Sequence, residues 1–247
     1  MKTIKILPVL VLSAGLLHAQ NSTEGVVMGQ EFTELAKGQS DVIHGISPSA
    51  FQSYSSNQVI GSQFFFPSWH AGEIITNRKE VYNAGLEFMY DKVRQQVFVR
   101  QKDSTFIILT NKDEVQSFSL RDENNKKYFF VNTKQFSDAR PELYYQILVY
   151  DSFKISLLKY IKTSFVKADP NDMLKQKEGE IYDAFVDKEI YYIMNKNRDP
   201  LAIQLKSKNL KKVFAELNIP IDKYLDAHPQ PVDEEYLIDM VKSLNSN

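Results

Sequence analysis

The stretch LYYQILVYDSFKISLLKYI, residues 143–161, decides the fold. Two apolar runs, Leu143 to Tyr150 and Phe153 to Ile161, are parted only by Asp151 and Ser152. A break that short joins antiparallel strands, because parallel neighbours need a crossover of about a dozen residues or more. In the second run Phe153, Ile155 and Leu157 alternate with Lys154 and Ser156, the period of a strand with one wet face.

The same pattern extends toward the N-terminus. Tyr82, Ala84, Leu86, Phe88 and Tyr90 predict one side of a strand, with Asn83, Gly85 and Glu87 on the other. Val97 to Val99, Phe106 to Leu109, Val115 to Leu120 and Tyr128 to Val131 follow, separated by short polar breaks such as Gln101 to Ser104, Asn111 to Asp113 and Asp122 to Asn125. On the other side, residues 167–179 read as a loop. Glu180 to Val186 and Ile190 to Met194 read as a further hairpin, and Leu201 to Ile203 as a short strand.

The period then changes. Leu210, Val213, Phe214 and Leu217 lie at i, i+3, i+4 and i+7, the apolar stripe of a helix, with Ser207 as its expected N-cap and Pro220 as its stop. A second stripe, Leu237, Met240, Val241 and Leu244, follows Asp233 as cap. Glu234 and Glu235 suit the positive end of that helix, and Val232 is placed to staple onto Leu237. The predicted class is α+β: a long antiparallel sheet, curved or partly closed, over 59–205, then two or three C-terminal helices over 206–247 packed on it.

The N-terminus carries a different message. Lys2 and Lys5 precede an apolar run from Ile6 to Leu17, and Ala19 offers a small residue for cleavage. That order is a secretory signal peptide over 1–19, too short for the roughly twenty residues a spanning helix needs. Residues 20–58, rich in Ser, Gly and Gln, read as an extended or partly ordered leader. Export to the periplasm, the outer-membrane surface or the medium is the expectation, with no transmembrane span after processing.

Composition narrows the chemistry. The sequence has 247 residues, 43% of them hydrophobic, enough for a real core. It contains no cysteine, so disulfides, thiol nucleophiles and cysteine-based metal centres are excluded. The formal charge of −1, or −3 once Lys2 and Lys5 are cut away, gives no drive toward nucleic acid.

No catalytic set is visible. His44, His70 and His228 form no metal-binding spacing, and Gly45-Ile46-Ser47-Pro48-Ser49 lacks the second glycine of a nucleophile elbow. The carboxylate groups Asp122-Glu123, Asp169 with Asp172, and Asp233 to Glu235 are explained by turns and by a helix start. Lys206, Lys208, Lys211 and Lys212 suit the solvated face of a helix. No cofactor and no metal is expected. The tentative contact surface is Phe64, Phe65, Phe66 and Trp69, consecutive aromatics whose alternate rings face opposite sides of a strand.

Gly61 to Phe64, the run Val81 to Asp91, Tyr191 to Ile193, the lysine-rich helix and the acidic-capped final helix carry a resemblance. Over residues 59–247 the chain is similar to a loosely defined group of uncharacterised exported β-rich envelope proteins of Gram-negative bacteria, a group without an agreed activity or catalytic residues. It also resembles, more distantly, the half-barrel carriers of envelope lipoproteins, although here the helices gather at the C-terminus instead of forming a lid. The leading expectation is a non-catalytic envelope protein that binds a partner or supports assembly. The alternatives are a carrier of an apolar ligand such as a lipid, and a hydrolase.

Overall fold

A computed structural model describes residues 59–102, 107–136, 142–169, 171, 182–195 and 199–246. The expected signal peptide at 1–19, the leader at 20–58, His44, Ser47 and Asp172 lie outside the described residues.

The strands are β1 (Val59–Ile60), β2 (Gly72–Thr76), β3 (Val81–Tyr82), β4 (Leu86–Asp91), β5 (Gln96–Gln101), β6 (Ile107–Leu109), β7 (Val115–Arg121), β8 (Lys127–Asn132), β9 (Tyr144–Val149), β10 (Ile155–Val166), β11 (Asp183–Asn195) and β12 (Leu201–Ile203). Helices α1 (Ser207–Glu216), α2 (Asp222–Ala227) and α3 (Glu234–Ser246) follow. The large sheet runs β1-β11-β10-β9-β8-β7-β2-β3, with β12 also paired to β11. A second sheet holds β4-β5-β6. The large sheet is open, and it is antiparallel apart from the parallel β1–β11 pair.

Cross-strand register defines one covered face. Ile74 opposes Phe118, Phe118 opposes Phe130, Phe130 opposes Gln146, Gln146 opposes Lys159, Lys159 opposes Tyr191, and Tyr191 opposes Ile203. Residues directly opposite share a face, so this row crosses the large sheet on a single side. Every member is buried. At the β2–β7–β8 end the cover is the small sheet, whose Phe88, Tyr90, Val97 and Val99 join Ile74, Phe118, Leu120, Phe130 and Tyr144. At the β10–β11–β12 end the cover is helical: Leu157, Tyr191, Ile193 and Ile203 meet Leu210, Phe214, Leu237, Met240 and Val241.

Two expectations about strands are corrected. The single strand expected from Tyr82 to Tyr90 is two strands in different sheets. Gly85 turns the chain between them at φ +69°, a conformation that costs a residue without Cβ little. Tyr82, Leu86, Phe88 and Tyr90 still meet in one cluster, because the chain passes from one sheet to the facing one around a shared core. The hairpin expected between Glu180 and Met194 is instead, from Asp183 on, the uninterrupted β11, paired with β10 over twelve successive positions from Ile155–Asn195 to Val166–Ala184. Asp187-Lys188-Glu189 reads as a turn because it is charged, but its carboxylates find partners within the sheet layer. Asp187 accepts from Thr163 at 2.5 Å and from Lys92 at 2.5 Å. Glu189 accepts from Tyr191 at 2.7 Å and lies 3.3 Å from Lys159.

The helix ends follow local chemistry. Asp233 Oδ1 accepts from the Tyr236 amide at 2.8 Å, capping α3. The N-cap of α1 is Lys206 rather than the expected Ser207, and no side chain caps it. The short α2 lacks a periodic signature, and its Leu225 is buried beneath the helical layer.

Candidate functional site

The aromatic segment singled out from the sequence lies against the outer side of β4. Phe65 donates its amide to Tyr90 O at 2.9 Å, and His70 and Phe88 exchange backbone bonds of 3.0 and 2.8 Å. The four rings divide between two sides, Phe65 and Phe66 on one and Phe64 and Trp69 on the other. Phe65 enters the core between the sheets, with ring centroids 5.0 Å from Phe130 and 5.4 Å from Tyr128. Phe66 sits over Tyr128 at 5.4 Å and His70 at 4.3 Å. Phe64 and Trp69 turn to the outer face and pack on Met89 and Phe98. The Arg100 guanidinium lies 4.5 Å above the Trp69 ring and pairs with Glu87 at 2.7 Å. All four aromatics are half-buried.

The two described histidines are held by backbone. His70 Nδ1 meets Arg121 O at 2.9 Å. A carbonyl only accepts, so Nδ1 carries the proton and Nε2 accepts from Ser68 Oγ at 3.0 Å. The polarity is that of a base and its hydroxyl, but Ser68 is exposed at the surface. His228 Nδ1 meets Tyr224 O at 2.9 Å and its ring stacks on Tyr224 at 4.1 Å, in the helical layer. Asp122 accepts the Asn124 and Lys126 amides, Asp169 that of Asn171, and these carboxylates hold turns. Lys211 pairs with Asp222 at 2.7 Å on the exposed side of α1.

Several polar groups in the fold have no sequence motif. Asp91, fully buried, accepts the Val93 and Arg94 amides on Oδ1 and Gln63 and Arg94 side chains on Oδ2. This fixes the β4–β5 turn, which reaches the large sheet where Gln95 accepts the Tyr144 amide at 2.8 Å. Lys159, opposite Gln146 and Tyr191 in the large sheet, lies 2.7 Å from Glu234 and pairs also with Glu189. The Tyr191 hydroxyl, with one proton to give, lies within hydrogen-bond distance of both carboxylates, 2.9 Å from Glu234 and 2.7 Å from Glu189. Burial, and then these two carboxylates, push the Tyr191 hydroxyl pKa up.

A polar cleft of about 350 Å³ opens at the loop end of the large sheet. Asn77 from the β2–β3 turn, Asp113 from the turn before β7, Asn132 at the end of β8, Lys134 and Gln135 from the 3-10 turn Thr133–Gln135, and Glu142 ahead of β9 line it. Its wall is fixed by side-chain-to-backbone bonds. Asn132 donates to Lys112 O at 3.3 Å and Val115 O at 3.2 Å and accepts from the Lys134 amide at 3.0 Å. Asn77 donates to Asp113 O and accepts from Gln135 at 3.4 Å. Glu142 shares a hydrogen bond with Asp113. That contact, with burial and the Asp113 charge, raises its carboxyl above the usual 4.5, while Lys134, at 4.0 Å, opposes the rise. These residues come from separated turns with unremarkable local sequence, so only register brings them together.

Among the described residues the most exposed rings stand elsewhere. Phe153 is 77% and Tyr150 67% exposed, both on the β9–β10 turn. Asp151 fixes that turn by accepting the Phe153 and Lys154 amides at 2.8 and 2.9 Å, which holds its carboxyl below the usual range. Asn245 at the end of α3 staples it from below, accepting from the Ile155 amide at 3.1 Å and donating to Ile155 O at 2.8 Å.

Among the described residues no group of three or more His, Asp or Glu is placed to hold a metal ion, and no helix is long and apolar enough to cross a membrane. No family model matches the chain, and neither the curated proteins nor the solved structures give a significant match.

Proposed function

We propose that this chain is an exported, non-catalytic envelope protein that binds a protein partner through the β9–β10 turn. The observation that carries the proposal is the pair Tyr150 and Phe153, the former 67% and the latter 77% exposed on a turn that Asp151 and Asn245 hold in one shape. Aromatic rings concentrate interface energy, and a turn already rigid loses little entropy when it docks. Burying these two rings against a partner would be worth about 1.5–3 kcal/mol each. The N-terminal pattern of Lys2, Lys5, the Ile6 to Leu17 run and Ala19 supports export.

Rings fill the space between the small sheet and the large one, where Phe118 stacks on Phe130 at 4.6 Å and Tyr144 meets Phe118 edge-on at 5.0 Å. The apolar-carrier reading gains no support from that part of the molecule.

The test is crosslinking and mass spectrometry on native envelopes carrying the wild-type chain or the pair Tyr150→Ser and Phe153→Ser. The expected result is a protein crosslinked to the wild type and at least tenfold depleted with the variant, at equal chain abundance. Equal recovery with both chains would remove the β9–β10 turn as the contact.

A further inference from the structure

A second surface, distinct from the β9–β10 turn, lies where β10 and β11 run on past their neighbours. β9 pairs with β10 only over Leu157 to Lys159, and β12 with β11 only over Tyr191 to Ile193, while β10 and β11 stay paired as far as Val166 and Ala184. What projects is a two-stranded ribbon, joined at its far end by β1. Its two faces differ. On the covered face Asp187 is met by Lys92 and Thr163, and Glu189 by Lys159 and Tyr191. The opposite face carries Lys162 directly across from Lys188, Ser164 across from Val186, and Val166 and Ile60 on either side of Ala184.

Ile60 is 43% exposed, and Val166 and Val186 are each 50% exposed. Among the described residues seven large apolar side chains are exposed, and three of them meet on this face. Lys162 and Lys188 are exposed as well. No carboxylate shares the face with them between Tyr160 and Val166 or between Ala184 and Ile190, and neither is ion-paired among the described residues. Like charges directly opposite in a ladder repel, so an outside anion offsets a cost that the fold leaves standing. The ribbon is braced from its covered side, where the Phe165 and Phe185 rings lie 5.1 Å apart and Thr163 bonds Asp187.

We infer that this ribbon face docks on an anionic lipid surface, with Ile60, Val166 and Val186 entering the boundary between headgroups and acyl chains and Lys162 and Lys188 meeting lipid phosphates. The composition selects lipid over protein. Protein interfaces are depleted in lysine, and valine is under-represented among their energetic centres. A bilayer surface takes the reverse: apolar area for its hydrocarbon edge and ammonium groups for its charged headgroups. The spacing agrees. Side chains two residues apart on one face of a strand stand about 7 Å apart, so the lysines lie a row or two above the aliphatics, and their long stems carry the charge to the phosphates. Tyr150 and Phe153 form the other kind of surface, in which aromatic rings dominate.

Co-flotation of the folded chain with lipid vesicles tests this. Binding to vesicles of equal parts phosphatidylglycerol and phosphatidylcholine is expected to exceed binding to phosphatidylcholine alone by at least tenfold at low salt, and to fall as salt rises. Lys162→Gln with Lys188→Gln should weaken it by about fivefold per lysine. That double variant removes a like-charge contact, so it does not endanger the fold. Val166→Ser with Val186→Ser should weaken binding severalfold at every salt concentration. Val186→Trp should strengthen it severalfold, because an indole suits the membrane interface, and a gain of this kind does not come from misfolding. Equal binding to both vesicle types, or an unchanged partition of the lysine or the valine variant, would overturn the inference. So would saturable calorimetric binding of inorganic phosphate, which would make the lysines a site for a free anion. A chain that floats with neither vesicle, yet crosslinks from Val186 to a protein in native envelopes, would assign the face to a protein partner and overturn it too.

Discussion

The covered face of the large sheet has two halves, built from different materials on one continuous row of residues. At the β2–β7–β8 end the cover is a second sheet and the filling is aromatic: Phe65, Tyr90, Phe118, Phe130 and Tyr144 lie ring against ring. At the β10–β11–β12 end the cover is three helices and the filling is largely aliphatic, with Leu157, Ile193, Leu210, Leu237, Met240 and Val241 fully buried. Between the halves runs a polar seam of Gln146 and Lys159, flanked by the β4–β5 turn with Lys92 and Gln95. The contrast shows that one pleated surface accepts either a sheet or helices as its lid. The seam is where the two lids meet, and its polar groups tie the strands to both.

The largest expected effect comes from emptying either half. Phe130→Ala should destabilise by about 3–5 kcal/mol and Leu237→Ala by about 2–5 kcal/mol, as for other buried truncations that leave cavities. Denaturant titration followed by tyrosine fluorescence and by far-UV circular dichroism checks whether the halves melt together. Coincident transitions in both variants would show that the seam couples them, whereas separate transitions would make each half its own cooperative unit.

Removing the tie is a smaller change. Lys159→Ala takes a donor from Glu234 and Glu189 and leaves Tyr191 to serve both carboxylates, which should cost about 1–3 kcal/mol. Amide exchange should show that loss first in α3, whose Glu234 holds the helix to β10. An unchanged exchange pattern in α3 would break the assignment of the seam as its anchor.

Gln146→Leu is expected to be the mildest of the seam variants. The Gln146 Oε1 atom is buried without a hydrogen-bond partner, so replacing the amide with an apolar group of similar size should be neutral or stabilising by about 1 kcal/mol. A loss above that value in thermal melts would show that the amide is satisfied in solution.

The last test is a sign rather than a size. Glu142 has a folded pKa above its ordinary 4.5, so the protonated form is favoured by folding. Its contribution is fully present below the unfolded value and is lost as pH rises through the folded one. Glu142→Gln, which mimics the protonated state, should flatten the fall in stability over that window, measured by melting temperature against pH.

The two halves also differ in how readily the chain announces them. The helical half is legible because Leu210, Val213, Phe214 and Leu217, then Leu237, Met240, Val241 and Leu244, carry the 3.6-residue period and Asp233 marks a start. In the aromatic half the strands β5, β7 and β8 are equally readable, but which sheet each joins is not. Tyr82 and Phe88 look like one strand because both face the same core, and alternation reports burial without reporting which layer supplies it. Asp187-Lys188-Glu189 looked like a break because charge in a strand is normally costly. Lys92, from a turn almost a hundred residues earlier, Thr163 and Tyr191 satisfy it instead. The cleft was hidden for the same reason: Asn77, Asp113, Asn132 and Glu142 are ordinary turn residues until four turns converge.

Local sequence determined what depends on neighbours along the chain: the strand and helix periods, the α3 cap, the absence of cysteine chemistry and the expectation of export. Tertiary structure alone decided the split into two sheets, the unbroken β11, the polar seam and the cleft. Each of these depends on pairings between residues far apart in the chain, and the energy that selects such pairings comes from desolvation and partner satisfaction in the folded state, which no local pattern encodes.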